Sequence, residues 1–272
     1  MSSTSRRPLS APESSVLRGR ALVTGGTAGL GLEFARALAA RGLSLVLVAR
    51  DEQRLAKTAD QLRWRYGVEV ETLVADLSVR DDVSAVAARL GDADSPVDVL
   101  VNNAGHGVHT PLLADELTEL DRSLEVMVRA VLVLGNAAGR AMVSRGHGVI
   151  INVASVAGLV PMGAYSAIKA WVDTYSESLS VELAGTGVQA TSLRPGWVRT
   201  EFHERARIRT SSIPDFLWLE ADRVVADALA DVEQGRVRSV PSKRFRVIAF
   251  LAEHAPRPLV RRATALIKGG RS

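Results

Sequence analysis

Ala21 to Thr24 reads as an apolar strand that runs straight into Gly25-Gly26-Thr27-Ala28-Gly29-Leu30-Gly31. A helix pattern follows at once, with Leu32, Phe34, Ala35, Leu38 and Ala39 recurring at spacings of about 3.6. A glycine-rich turn between a first strand and a first helix lets backbone amides approach a phosphate group, and the helix N terminus favours the negative charge. No Gly-Lys-Ser/Thr follows, so the turn is not a Walker loop.

The alternation continues along the chain. Gly42 ends the first helix, and Leu43 to Ala49 is a nearly continuous apolar run, as a parallel strand covered on both faces requires. The pattern then predicts a helix over Asp51 to Tyr66, a strand over Val68 to Val74 and a helix around Val83 to Leu90. A strand over Val97 to Val101 and a long helix from about Glu119 to Arg145 come next. Strands over Val149 to Val153 and Val188 to Leu193 and helices over Tyr165 to Ala184 and Ala221 to Glu233 complete it. This order predicts an α/β, Rossmann-type doubly wound, mostly parallel sheet with helices on both faces. No Pro/Ser-rich linker interrupts the repeats. The expected organisation is a disordered tail (1–17), one domain (18–240) and a basic C-terminal helical extension (241–272). Such sheets bind ligands at the carboxyl ends of their strands, near the switch in strand order.

The chain lacks cysteine, which excludes disulfides, thiolate zinc sites and cysteine nucleophiles and fits a reducing, cytoplasmic setting. Residues 1–20 carry four arginines without an apolar segment, unlike a signal peptide. The uninterrupted apolar runs are strand-sized, so no membrane span is expected. The net charge of +4 is unevenly placed, with ten Lys or Arg from Arg236 to Ser272 against the single acid Glu253. In that segment Phe245, Val247, Ile248, Phe250 and Leu251 interleave with Lys243, Arg244 and Arg246. A helix packed on its own domain accounts for this pattern; the alternative is peripheral contact with an anionic membrane surface. No nucleic acid is expected, because no reader helix or aromatic platform accompanies the charge. No metal site is expected either.

Strand two ends in Ala49-Arg50 where a carboxylate would hydrogen-bond a ribose 2′-hydroxyl and repel a 2′-phosphate. The Arg50 guanidinium suits a phosphate instead, which favours NADPH over NADH. Asp51 next to it reads as a first-turn acid of the following helix. Asp76-Leu77 after strand three places a carboxylate within reach of an adenine amine, and Asn102-Asn103-Ala104-Gly105 after strand four fits close backbone approach to a ribose.

With these motifs in order, the sequence resembles the classical short-chain dehydrogenase/reductase family over roughly residues 18–240. The glycine turn, Asp76, the Asn102–Gly105 run, Ser155, the Tyr165-Ser166-Ala167-Ile168-Lys169 motif and Pro195-Gly196-Trp197-Val198-Arg199-Thr200 carry the resemblance. It implies a NADP cofactor held by Gly25, Thr27, Gly29, Leu30, Gly31, Arg50, Asp76, Leu77, Asn103, Ala104, Gly105, Tyr165, Lys169, Pro195, Gly196, Val198 and Thr200. It implies Ser155, Tyr165 and Lys169 as the catalytic residues. Tyr165 and Lys169, four apart, share one helix face, so Lys169 can lower the phenol's pKa while Tyr165 acts as general acid in reduction and base in reverse. Ser155 would polarise the carbonyl oxygen.

The sequence departs from the family in three ways. Met127 stands where the family usually has an asparagine that helps hold a water beside the lysine. Either backbone groups hold that water alone, or activity is compromised. Ser155 and Tyr165 are ten apart, closer than is usual, which should leave the substrate side more open or let other segments close it. The tail beyond residue 240 is longer and more basic than the family needs.

An apolar rim of Leu159, Val160, Met162, Trp197 and Phe202 argues for an apolar ketone or aldehyde. Reduction of a 3-oxoacyl thioester is an alternative, with Arg199, Arg205, Arg207 and Arg209 meeting a phosphate. A weakly active or inactive NADP(H)-binding scaffold or sensor is another. The long helices around Leu120–Met142 and Trp171–Leu183 resemble those that pair subunits, so a homo-oligomer, dimer or tetramer, is expected.

Overall fold

The computed structural model describes residues 15–200 and 214–269. Phe202, Arg205, Arg207 and Arg209 lie outside the described residues. Residues 15 to 17, expected in the tail, are packed instead. Leu17 is fully buried, and Ser15 donates a hydrogen bond to the Glu233 carboxylate.

The order of elements is β1 (Arg20–Thr24), α1 (Gly29–Ala39), β2 (Ser44–Ala49), α2 (Glu52–Tyr66), β3 (Val70–Val74), α3 (Arg80–Leu90) and β4 (Val99–Asn102). The helix α4 (Thr118–Arg145) leads to β5 (Gly148–Val153), α5 (Ala164–Glu182) and β6 (Val188–Leu193). Then come β7 (Trp197–Arg199), β8 (Trp218–Glu220), α6 (Ala221–Glu233), β9 (Arg238–Ser239), α7 (Lys243–His254) and α8 (Arg257–Gly269).

Seven strands form one parallel sheet in the order β3-β2-β1-β4-β5-β6-β9. The predicted architecture is therefore present. The sequence pattern missed β9, whose two residues are too short to show a period, and the small β7–β8 pair. The strand order reverses between β1 and β4, so the glycine turn and the Asn102–Gly105 run leave the same edge side by side.

Two apolar layers sandwich the sheet. On one face α1, α2 and α6 contribute Phe34, Leu38, Leu55, Leu229 and Val232; on the other α3 and α4 contribute Val86, Leu90, Leu134 and Met142. Helix α4 is long and apolar enough by composition to cross a membrane, with a mean hydropathy of 1.5, a property that short apolar runs in the sequence conceal. Here that apolarity serves the interior, because Ala130, Leu134, Ala138 and Met142 are buried at about one-turn intervals.

Candidate active site

The glycine turn is shaped by close backbone contacts. A methyl group on Gly31 would sit 2.2 Å from the Gly25 carbonyl oxygen, so only glycine fits there. Thr24 locks the turn to β4: its Oγ1 accepts from the amides of Asn103 (2.9 Å) and Ala104 (3.0 Å). The Asn103 side chain donates to the Thr24 carbonyl at 2.9 Å. Helix α1 begins at Gly29 with no side chain capping it and no acid in its first turn. Its free amides and positive dipole end suit a pyrophosphate. Thr200 closes this edge, since a methyl on Gly29 would lie 3.3 Å from Thr200 Cβ.

Asp51 is the N-cap of α2, accepting from the Arg54 amide at 2.9 Å. Arg50 stays 64% exposed, with its guanidinium 3.8 Å from Asp76. Burial alone would raise the Asp76 carboxyl, but hydrogen bonds from Ser78 and the charges of Arg122 and Arg50 hold it below its ordinary value. Asp76 accepts from Ser78 and Arg122 already, and Leu77 is buried in the core. Arg54, which the sequence reading passed over, donates to the Thr27 carbonyl at 3.0 Å and braces the turn from α2.

At the other end, Ser155 leaves β5 and caps a short turn, Val156–Leu159, accepting from the Ala157 amide at 3.1 Å. Its hydroxyl also reaches the Pro195 carbonyl at 3.5 Å. Gly158 lets this turn lie on α5, where a side chain would come within 2.8 Å of the Ala170 amide nitrogen. The short connection thus lies packed on α5.

Tyr165 and Lys169 share one face of α5. Lys169 is 5% exposed; its ammonium donates to the Val153 carbonyl at 2.7 Å and lies 5.7 Å from the Tyr165 ring centre. Burial pushes Lys169 down to about 8 and Tyr165 up to about 12, the latter opposed by a hydrogen bond with Ser155. Lys169 and Ser155 thus both stand at the phenol, the first beside its ring and the second hydrogen-bonded to it.

Met127 is buried against Gly105, its sulfur 3.1 Å from where a Cβ would be. It sits in a π turn, Glu125–Arg129, inside α4, where the Ala130 amide donates to the Glu125 carbonyl. Such single π turns inside α-helices are frequent at functional sites. Pro195 is buried and Gly196 lies under the Phe245 ring of α7, while the Val198 side chain faces the core with Leu219 and Val224.

Two polar groupings escaped the sequence reading. Asn102 donates to Asn152 at 2.9 Å, and Asn152 donates to Ser176 at 3.0 Å, joining β4, β5 and α5 in the interior. Arg194, 3% exposed, bonds Asp173 twice at 2.6 Å, Glu177 at 2.7 Å and Glu253 at 2.6 Å. The polar letters inside apolar runs, Asn152 in β5 and Arg194 after β6, were the available signal.

A glycine-turned parallel sheet with Ser, Tyr and Lys gathered at its carboxyl edge defines an α/β dinucleotide-type oxidoreductase fold. The chain belongs to the short chain dehydrogenase family, which matches residues 20–210. It is 38% identical over 239 residues to a Streptomyces coelicolor protein named "Putative ketoacyl reductase", covering 85% of this chain and 88% of that one. Among solved structures, a short-chain dehydrogenase from Sphingobium yanoikuyae in complex with NADPH superposes with a TM-score of 0.79 at 33% identity, over 85% of this chain and 92% of that one. A short chain dehydrogenase/reductase from Burkholderia phymatum in complex with NAD gives 0.76 at 27% identity, over 90% and 94%. The chain is thus an oxidoreductase of this family.

Proposed function

We propose that the protein is an NADPH-dependent reductase of the carbonyl group in an apolar ketone or aldehyde. The observation that carries this reading is the cluster of Ser155, Tyr165 and buried Lys169 beside an uncapped, glycine-rich helix N terminus. The residues fit the cofactor: amides at Gly29 to Gly31 for the pyrophosphate, exposed Arg50 for a 2′-phosphate, and Lys169 for the nicotinamide ribose. Bound NADPH supplies hydride to the carbonyl carbon. Tyr165, held protonated by its enclosure, delivers a proton to the carbonyl oxygen, and Ser155 hydrogen-bonds that oxygen as charge develops. Lys169 keeps a positive charge near the phenol. Backbone groups of the π turn at Met127 would hold the water for which the family uses an asparagine.

Similarity to a protein named for ketoacyl reduction favours a second reading, reduction of a 3-oxoacyl thioester. We further propose a cytoplasmic homo-oligomer paired through α4 and α5, where Leu124, Leu132, Val143 and Val181 stay exposed. NADPH oxidation followed by absorbance, against apolar ketones and 3-oxoacyl thioesters, tests the assignment. Turnover lost in Tyr165→Phe supports it. Tight NADPH binding with no turnover of either class, and none after Met127→Asn, would make the chain a binding protein instead.

A further inference from the structure

Among its described residues, the basic C-terminal segment leaves several large apolar side chains off the domain. In α7, Phe245 and Ala249 are buried, whereas Val247 (60% exposed), Phe250 (59%) and Leu251 (59%) face solvent. Helical spacing puts those three on one face, with Lys243, Arg244 and Arg246 on its flanks. Leu259 of α8 is 57% exposed, and Arg257, Arg261 and Arg262 surround it. The one acid of the segment, Glu253, is spent on buried Arg194. An apolar stripe with a basic border and no acid to neutralise it is an interfacial helix surface.

We propose that the α7–α8 pair docks this protein on an anionic lipid bilayer, with Val247, Phe250 and Leu251 at the headgroup boundary and the basic residues on the lipid phosphates and carboxylates. Charge complementarity selects this occupant. A second copy packed on the same face would bring another set of Lys243, Arg244 and Arg246 to a segment whose one acid, Glu253, is already engaged. A nucleic acid would leave Val247 and Leu251 unused, and Phe250 already stacks on His254 with ring centres 4.2 Å apart. The pair also borders a cleft of about 380 Å³ lined by Leu159, Val160, Pro161 and Val260, with Arg257 and Arg261 at its wall. Docking brings that apolar opening to the lipid interface.

The test is co-sedimentation of the full chain with phosphatidylcholine vesicles, with and without phosphatidylserine, across a salt series. The expected result is partition onto the phosphatidylserine vesicles that falls steeply with salt. Phe250→Ser with Leu251→Ser should lower partition at least about tenfold, and Arg246→Glu about fivefold or more. These side chains are exposed, so a urea melt matching the parent shows that the variants fold. No partition onto phosphatidylserine vesicles, or partition unchanged in the double serine variant, overturns the proposal. A dimer that the double serine variant dissociates, with no vesicle binding by the parent, assigns the face to a second copy and overturns it too.

Discussion

At the glycine-turn end of the crevice Arg50 stands mostly in solvent, 3.8 Å from Asp76. At the Ser155 end Lys169 and Arg194 are almost fully enclosed, each tied to a named partner at 2.6 to 2.7 Å. The first end is built from backbone shape, and its charges are screened until a ligand arrives. The second is built from enclosed charges that interact strongly in a poorly hydrated interior. Substitutions should therefore act gently at one end and severely at the other.

The severest expected effect is in Tyr165→Phe, which removes the proton donor and should lower kcat about 10²–10⁴-fold while leaving the Kd for NADPH near the parent value. Steady-state rates and a fluorescence titration separate the two. Next, Arg194→Met leaves three carboxylates around an enclosed cavity and should cost about 3–5 kcal/mol of stability in urea unfolding, because one partner of a buried ion network has gone. A loss near zero would mean this end is as well hydrated as the other.

A pH profile sharpens the comparison further. Reduction needs the Tyr165 hydroxyl and the Lys169 ammonium protonated, so kcat should hold at neutral pH and fall as pH rises through about 8, where Lys169 loses its proton. Oxidation of the alcohol, which needs Tyr165 to accept a proton, should not gain over that range, because Tyr165 is held up at about 12. At the open end, Arg50→Ala should weaken NADPH binding about tenfold and NADH binding hardly at all; equal losses would show that Arg50 does not read the 2′-phosphate. The smallest change is expected from Met127→Asn. If backbone groups of the π turn already hold the water, kcat stays at the parent value, and a clear gain would show that the side chain was the missing part.

The contrast between the two ends also explains what could be read before the fold was known. Glycines at 25, 29 and 31 announce a backbone shape wherever they stand, and Tyr165 and Lys169 meet through helix period alone. Burial has no such local signature. Asp51 reads as an acid at the start of the next helix, but that it is the cap itself shows only in its bond from the Arg54 amide. The upward shift of Tyr165 depends on how β5, α5 and the Pro195 segment close around it. Arg194 finds Asp173, Glu177 and Glu253 only through the packing of α5, β6 and α7. Val247 and Leu251 fit a helix packed on its own domain in sequence, yet both stay more than half exposed among the described residues.

Phe245 on Gly196 and Glu253 on Arg194 have a practical meaning for anyone trimming this chain. A version stopped at residue 240 would retain every motif from the glycine turn to Thr200 and pass inspection as a whole enzyme. It would nonetheless lose the ring that covers Gly196 and one of the three acids that hold the arginine before Pro195. Burying a phenylalanine of this kind is worth about 1.5–3 kcal/mol, a sizeable share of what a domain has to spare. The shortest useful piece therefore extends through His254, well past the last recognisable motif.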